Sequence, residues 1–574
     1  MFGWPSSTGS CRRLPSADRA VTTKQDRVRR FFAELRRRKV IRFAIGYAII
    51  GAGITEGASN IFGPLGLSEG AQKAIAVLVL AGFPVALVLS WVFDITLRGI
   101  ERTPSAAPAA LPREPLPADS IAIIPFENLS GDAAQSYLAD GLTEELLVAL
   151  SRVPGLRVAA RTSCFAFRGA RADVREIGER LRARHIVEGS TRLTGGRLRL
   201  SVRLIDAETG YALWTEAYER EIESIFDIQA EIAREIVGRL PRVGAATDQV
   251  VAGPGTNDVH AFQEYLQGRF HWNRRTESDL RRAIERFGSA VRRDPGYARA
   301  WAGMADAWSL LLDYGGVEPA KGLDPAREAA ERALAASPDT AESWTSVALV
   351  RDFEWRWADA DDAFRRAIKL QPDYPVARQR YALHLAWAGR HDEAAREADA
   401  AVELDPLSTA VSASAGFVLY YARRFNDAVA RLDRTTIADP GFATARVALG
   451  VCLLGLGRAQ EAVQSLRRAV DDSGRASSAL ALLGLAHARA GDEGATRAVI
   501  AELDERRKKK WVSGYQLALP HIGLGEYAAA LDHLEQACDD RAPQMAYLGH
   551  DPALDPLRGD VRFTALLARV GLAA

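Results

Sequence analysis

The residues able to carry acid–base, nucleophilic or metal chemistry are few and scattered. Nine histidines are spread over 574 residues, and none falls in an HExxH or HxxxH pair that would aim two imidazoles at one metal ion. His384 and His391 stand about two helical turns apart, but the turn glycine Gly389 lies between them and both read as surface residues. Cys11, Cys164, Cys452 and Cys538 form no CxxC pair, so reduced, buried thiols are expected rather than a disulfide framework. No phosphate-binding Walker loop, no GxSxG elbow and no kinase signature occurs. Asp140-Gly141 followed by Thr143, Glu144 and Glu145 suggests paired carboxylates, but acidic residues also favour the positive end of a helix, and capping is the expected role here. Arg161, Arg168 and Arg171 beside Phe165 and Phe167, with Asn128 nearby, offer two readings: an anion or nucleotide pocket, or an arginine-rich surface loop. The expectation is a chain with no catalytic residue, no cofactor, no metal and no enzymatic activity.

The elements that would position such residues are dominated by a repeat. Pro295, Pro338, Pro372, Pro406 and Pro440 step by 43, 34, 34 and 34 residues, and 34 is the tetratricopeptide period. The long first step predicts an insertion around residues 314–323. Within each period small residues recur on the second helix, as in Ala360, Phe364 and Ala367, and turn glycines fall at Gly389, Gly457, Gly491 and Gly525, with Arg423 in the missing step. About eight repeats are predicted over 258–541, with a capping tail at 542–574. One helix pair cannot bury its own apolar face, so stacking must supply the core and generate a concave surface. In this register the first helix of each pair lines that surface with Asp306, Gln379, Leu383, Trp387, Phe417, Tyr420, Tyr421, Val451, Leu454 and Tyr515. That lining is apolar and aromatic, which predicts a groove for an apolar or helical segment of a protein partner; packing between neighbouring helices is the other reading of Trp387, Tyr420 and Tyr421.

Hydrophobic content of 48% and charged content of 26% suit folded domains, and 74 basic against 73 acidic residues give no basic footprint for nucleic acid. Arg506 to Lys510 read as a solvated helix end, since no aromatic residues interleave with them. Residues 1–30 are polar and read as disordered. A two-helix membrane anchor is expected over 31–97, with apolar segments at 40–62 and 74–95, each near the ~20 residues that cross a bilayer core. Basic residues precede the first segment and follow the second, with only Lys73 between, so a hairpin with both ends in the cytoplasm is expected; soluble domains would be periplasmic if the second segment alone spans. A proline-rich linker, 98–119, comes next.

Residues 120–241 read as an α/β domain: a buried strand from Ser120, helices around Leu142–Leu150 and Val174–Leu181, and three strands, His185–Leu193, Arg197–Ile205 and Tyr211–Tyr218. A helix over Ile225–Leu240 closes it, and 242–257 is a linker to the repeats.

The stretch SIAIIPFENLSGDAAQSYLADGLTEELLVALSRVPGLRVAARTSCFAF, then IVEGSTRL and RLIDAETGYALWTEAYER, resembles the TolB N-terminal-like domain of bacterial membrane-anchored tetratricopeptide proteins. FFAELRRRKVIRFAIGYAI, GFPVALVLSWVFDIT and the closing PALDPLRGDVRF look like the anchor and tail of the same group. The resemblance implies a multidomain chain: membrane hairpin, α/β domain, then an all-α superhelix. Relatives often carry an N-terminal cyclase, winged-helix or kinase domain, and the residues before the anchor are too few for one. The expected function is a scaffold or adaptor at the bacterial inner membrane. The alternative is a sensory protein whose α/β domain binds a small ligand or nucleotide and modulates a separately encoded cyclase or kinase.

Overall fold

A computed structural model describes residues 47, 49–54, 77–84, 93–96, 99–102, 115–169, 172–240 and 255–572, divided between two units, Met1–Pro115 and Leu116–Ala574. In the first unit, residues 49–54 and 77–84 are helical. They approach closely: the Tyr47 hydroxyl donates to the Val79 carbonyl at 3.0 Å, and a Cβ on Gly51 would stand 2.8 Å from Val79. Among the described residues no helix is long and apolar enough to cross a membrane. Most of the two apolar segments, with residues 1–30, lies outside the described residues. The end of the second segment is not helical as expected: strand β1 (Phe93–Thr96) pairs antiparallel with β2 (Gly99–Arg102).

The second unit opens with a sheet in which β3 (Ser120–Ile123) lies between β5 (Arg157–Val158) and β6 (His185–Thr194), parallel to both. The short β4 (Glu127–Asn128) also pairs with β6. From β6 the chain meanders antiparallel through β7 (Arg197–Asp206) to β8 (Ala212–Glu221). Leu198, Leu200, Val202 and Leu204 of β7 are buried while Arg197, Arg199 and Arg203 alternate with them in solvent, the period-two pattern of a sheet with one covered face. The β6–β7 turn consists of Gly195 and Gly196 at φ +57° and +85°, a pair of left-handed conformations that two glycines adopt without strain. Helices α1 (Ser136–Ser151), α2 (Arg161–Phe165), α3 (Val174–Leu181) and α4 (Ile225–Gly238) complete this α/β domain.

The repeats follow, sixteen helices in eight pairs among the described residues. They are Val259–Arg274 with Glu277–Arg293, Ala298–Asp313 with Pro319–Ala336, Ala341–Phe353 with Trp357–Leu370, and Pro375–Trp387 with His391–Leu404. The second four are Thr409–Tyr421 with Phe425–Ala438, Ala443–Gly455 with Ala459–Asp472, Ser477–Arg489 with Glu493–Arg507, and Gly514–Leu524 with Tyr527–Asp539. The nine extra residues of repeat 2 add roughly one turn to each of its helices and lengthen the connection between them. In the irregular repeat 7, Thr496 takes the small-residue position; it is fully buried, and its hydroxyl donates to the Asp492 carbonyl at 2.9 Å. After the last pair, two 3₁₀ segments, Pro543–Tyr547 and Pro552–Leu557, lead to the terminal helix Val561–Val570.

Candidate protein-binding surface

The inner residues divide into a polar half and an aromatic half. In repeats 2 to 5 the side chains bond along the row: Ser346 donates to Asp306 at 2.8 Å, and Gln379 donates to Ser414 at 2.7 Å. Asp306, Gln379 and Phe417 are half-buried. Burial pushes the Asp306 carboxyl above its usual range, against the Ser346 hydrogen bond and the charges of Arg269, Arg380 and Arg275.

The aromatic half is occupied by the chain itself. Leu383, Trp387, Tyr420, Tyr421 and Tyr515 are all buried, packed with the C-terminal tail in one core. Tyr547 of the tail sits among them, its ring centroid 5.2 Å from Trp387, 6.1 Å from Tyr421 and 5.9 Å from Tyr515. Asp551 accepts hydrogen bonds from the hydroxyls of Tyr420, at 2.6 Å, and of Tyr515. Arg423 clamps Asp555 with two bonds of 2.6 Å, and the Trp357 indole donates to the Val570 carbonyl at 2.9 Å. The Tyr547 hydroxyl donates to Asp313 at 2.9 Å, and the Gln544 amide donates to the Asp313 carbonyl at 3.0 Å. Sequence periodicity singles out these residues but not the tail that covers them.

At the other end, the α/β domain seats on repeats 1 and 2 through charges that were expected to cap a helix. Helix α1 begins at Ser136, so Asp140, Glu144 and Glu145 fall in its interior and none caps its start. They face guanidinium groups instead. Glu144 pairs with Arg161 at 2.8 Å and with Arg269 of repeat 1, Glu145 pairs with Arg299 at 2.5 Å, and Asp140 pairs with Arg168 at 2.6 Å. Burial alone would raise the Glu144 carboxyl; Arg161 and Arg269 overcome it and hold its pKa down to about 2. A Cβ on Gly141 would stand 2.6 Å from Leu266, so only glycine lets α1 approach repeat 1 this closely. On the same side, Asp405 accepts from the Ser163 hydroxyl at 2.6 Å, and that hydroxyl accepts from the Leu407 amide at 2.9 Å.

These pairings correct the anion-pocket reading, because Arg161 and Arg168 already hold carboxylates and Arg161 lies 3.9 Å over the Phe165 ring. Asn128 is spent on its own turn, donating to the Asp132 carbonyl at 2.8 Å, and Arg171 lies outside the described residues. His384 is not a surface residue: it is buried with Nδ1 2.6 Å from Asp352, while His391 is half-buried with its ring 5.1 Å from His550 of the tail. Burial pushes the Cys164 and Cys452 thiols up to about 12, which keeps them protonated and unreactive. Among the described residues no three metal-binding side chains gather.

The comparisons agree with the repeat architecture. Residues 415–476 match the tetratricopeptide repeat family, and residues 117–235, the stretch likened above to TolB, match the "HilA/YgeH-like transcriptional regulator, second domain". Over 202 residues the chain is 38% identical to "Putative adenylate cyclase 3" of Rhizobium meliloti (strain 1021), spanning 34% of each protein. The chain thus covers about a third of that relative. Among solved structures, the type IV pilus biogenesis factor PilW is similar over 37% of this chain and 96% of its own, with 19% identity and a TM-score of 0.30. YrrB, a tetratricopeptide protein with an unusual peptide-binding site, is similar over 34% of this chain and 95% of its own, with 21% identity and a TM-score of 0.23. The C-terminal part is an all-helical, tetratricopeptide-like superhelix preceded by an α/β region, and tetratricopeptide proteins are generally protein-interaction scaffolds.

Proposed function

We propose that the protein is a membrane-tethered scaffold of the bacterial inner membrane that binds a protein partner on the inner face of its repeats. The observation that carries this reading is the row Asp306, Gln379 and Phe417, which remains half-buried while the aromatic residues beyond it are covered by the tail. A stacked array held at both ends presents that row with little conformational entropy left to lose on binding. The apolar segments at 40–62 and 74–95, with the Tyr47–Val79 contact between their described parts, support the tether. The sensory alternative loses its pocket, since Arg161 and Arg168 are paired internally. The test is a pull-down from a bacterial lysate with the full-length chain, comparing wild type with Gln379→Ala plus Phe417→Ala. Loss of a captured protein from the variant is expected; equal recovery from both overturns the surface.

A further inference from the structure

Where the second helices of neighbouring repeats stand side by side, the first helix of the later repeat floors the space between them. From repeat 3 to repeat 6 the helices recur at one 34-residue period, so equivalent positions compare directly. Between repeats 3 and 4 this space holds Phe364, Tyr381 and His384, all buried, with ring centroids 5.6 to 5.9 Å apart. Between repeats 5 and 6 the same positions are Leu432, Leu449 and Cys452, also buried. Between repeats 4 and 5 they are Ala398, Ala415 and Val418. Two alanines thus stand where the neighbouring repeats place rings or leucine side chains, and a cleft of about 250 Å³ is left open there.

The floor of the cleft is apolar, and its rim is charged. Arg424, Arg431 and Arg434 face Asp399 and Asp427 around it. Arg431 pairs with Asp399 at 2.9 Å and Arg424 with Asp427 at 2.7 Å, so each aspartate already holds a guanidinium. Among the described residues Arg434 has no carboxylate or carbonyl partner, and the rim carries one more cation than anion. One turn further along the same helix, Ile437 is 78% exposed. Ala430, Arg434 and Ile437 follow one another by four and three residues, so the cleft wall, the unpaired cation and the exposed isoleucine share one helix face. An apolar floor that runs out to an exposed isoleucine favours an apolar occupant, because covering it removes that surface from water.

We propose that this cleft is a second protein-binding site, which takes one aromatic side chain of a partner segment with a carboxylate residue beside it. A cavity of about 150 Å³ holds one benzene ring, so this one holds a phenyl or phenol ring with its methylene. It falls below the roughly 300–1,000 Å³ of sites that enclose a whole small molecule, which favours a side chain anchored from outside. The chain itself demonstrates the fit, since Phe364 and Tyr381 fill the equivalent space one period earlier. The surplus cation, Arg434, selects an acidic neighbour for the ring. The site lies apart from the inner row Asp306, Gln379 and Phe417 and does not depend on it.

Ligand-observed NMR titration of the purified full-length chain tests it with four probes. They are the blocked peptide acetyl-Ala-Phe-Glu-Ala-amide, its versions with Gln for Glu and with Ala for Phe, and phenylacetate. The Phe-Glu peptide binds through its ring protons, the Phe-Gln peptide binds more weakly, and the peptide without the ring does not bind. A398F supplies the ring that Phe364 supplies one period earlier; it abolishes binding and melts no lower than wild type. R434Q weakens the Phe-Glu peptide about threefold, as loss of an exposed charge contact does, and removes most of the salt dependence of binding. Should A398F fail to fold, A430Q lengthens a side chain at the exposed wall of the cleft and weakens binding without touching the core. No binding of the Phe-Glu peptide by the folded chain overturns the proposal, as does binding unchanged in a folded cleft variant. Equal affinity for the Phe-Gln or the ring-free peptide, or phenylacetate bound as tightly as the Phe-Glu peptide, also overturns it. Gln379→Ala plus Phe417→Ala leaves this titration unchanged, so the inner face and the cleft stand or fall separately.

Discussion

The Tyr420 hydroxyl donates to Asp551 at 2.6 Å across 131 residues of chain, and this bond holds the C-terminal tail inside the repeat array. Among the described residues no cation pairs with the buried carboxylate; two tyrosine hydroxyls and the Ala553 amide satisfy it. Asp551→Ala would leave both hydroxyls without their acceptor. Unfolding in urea should show a loss of about 2–4 kcal/mol, with Asp551→Asn losing less because it keeps an acceptor.

Ending the chain after residue 541 removes Met545, Ala546, Leu548, Leu554 and Phe563, all fully buried. The truncated chain should uncover Trp387, Tyr421 and Tyr515, bind a hydrophobic dye that the intact chain does not, and self-associate in light scattering, as exposed apolar patches do.

Glu144 gives the stability of the α/β–repeat junction a defined pH sign. Its folded pKa of about 2 lies below its ordinary 4.5, so its contribution is fully present above pH 4.5 and is lost as pH falls towards 2. Asp551 works the other way: burial raises its carboxyl, so its contribution is present below its ordinary value and is lost as pH rises through the raised one. Glu144→Ala strands Arg161 and Arg269 and should cost about 3–5 kcal/mol at pH 7. Melting curves from pH 2 to 7 should show a flatter acid limb for Glu144→Gln than for wild type.

Gly141→Ala tests the close approach of α1 to repeat 1. The added methyl meets Leu266 at 2.6 Å, and overpacking of this kind should lower stability by about 1–3 kcal/mol. Gly457→Ala, at a turn glycine with φ +73° and open space around it, should cost less, because only backbone strain opposes it.

The local elements were legible because their signals are local. The sequence placed strands at His185–Leu193 and Arg197–Ile205, and they occupy His185–Thr194 and Arg197–Asp206, since alternation and a Gly-Gly turn set the register. The proline period marks a stretch that is helical throughout, because each period encodes one pair of stacked helices. Asp140, Glu144 and Glu145 misled for a physical reason: acidic residues near an apparent helix start match a capping signature, but α1 starts a turn earlier, at Ser136. Two of their partners, Arg269 and Arg299, lie more than 100 residues away in sequence, where no periodicity reports a contact. The tail was invisible for the same reason. Tyr547 and Asp551 carry no pattern that distinguishes a cap from an occupant. The nine-residue interruption of the period was visible, but not the contact beside it: Asp313, just before it, is the residue that Tyr547 and Gln544 reach.

Most tandem arrays can lengthen or shorten at their ends, because a terminal unit touches a single neighbour. Here the first unit is seated against α1 and the last runs into a tail that reaches back to Asp313 in repeat 2 and Trp357 in repeat 3. Gaining or losing one period between repeat 3 and repeat 5 would pull the tail away from Asp313 and Trp357, and one between repeat 5 and the tail would also shift Asp551 away from Tyr420. The number of repeats is therefore a fixed dimension of this molecule, and its lineage can vary the outward faces of the helices far more freely than their count.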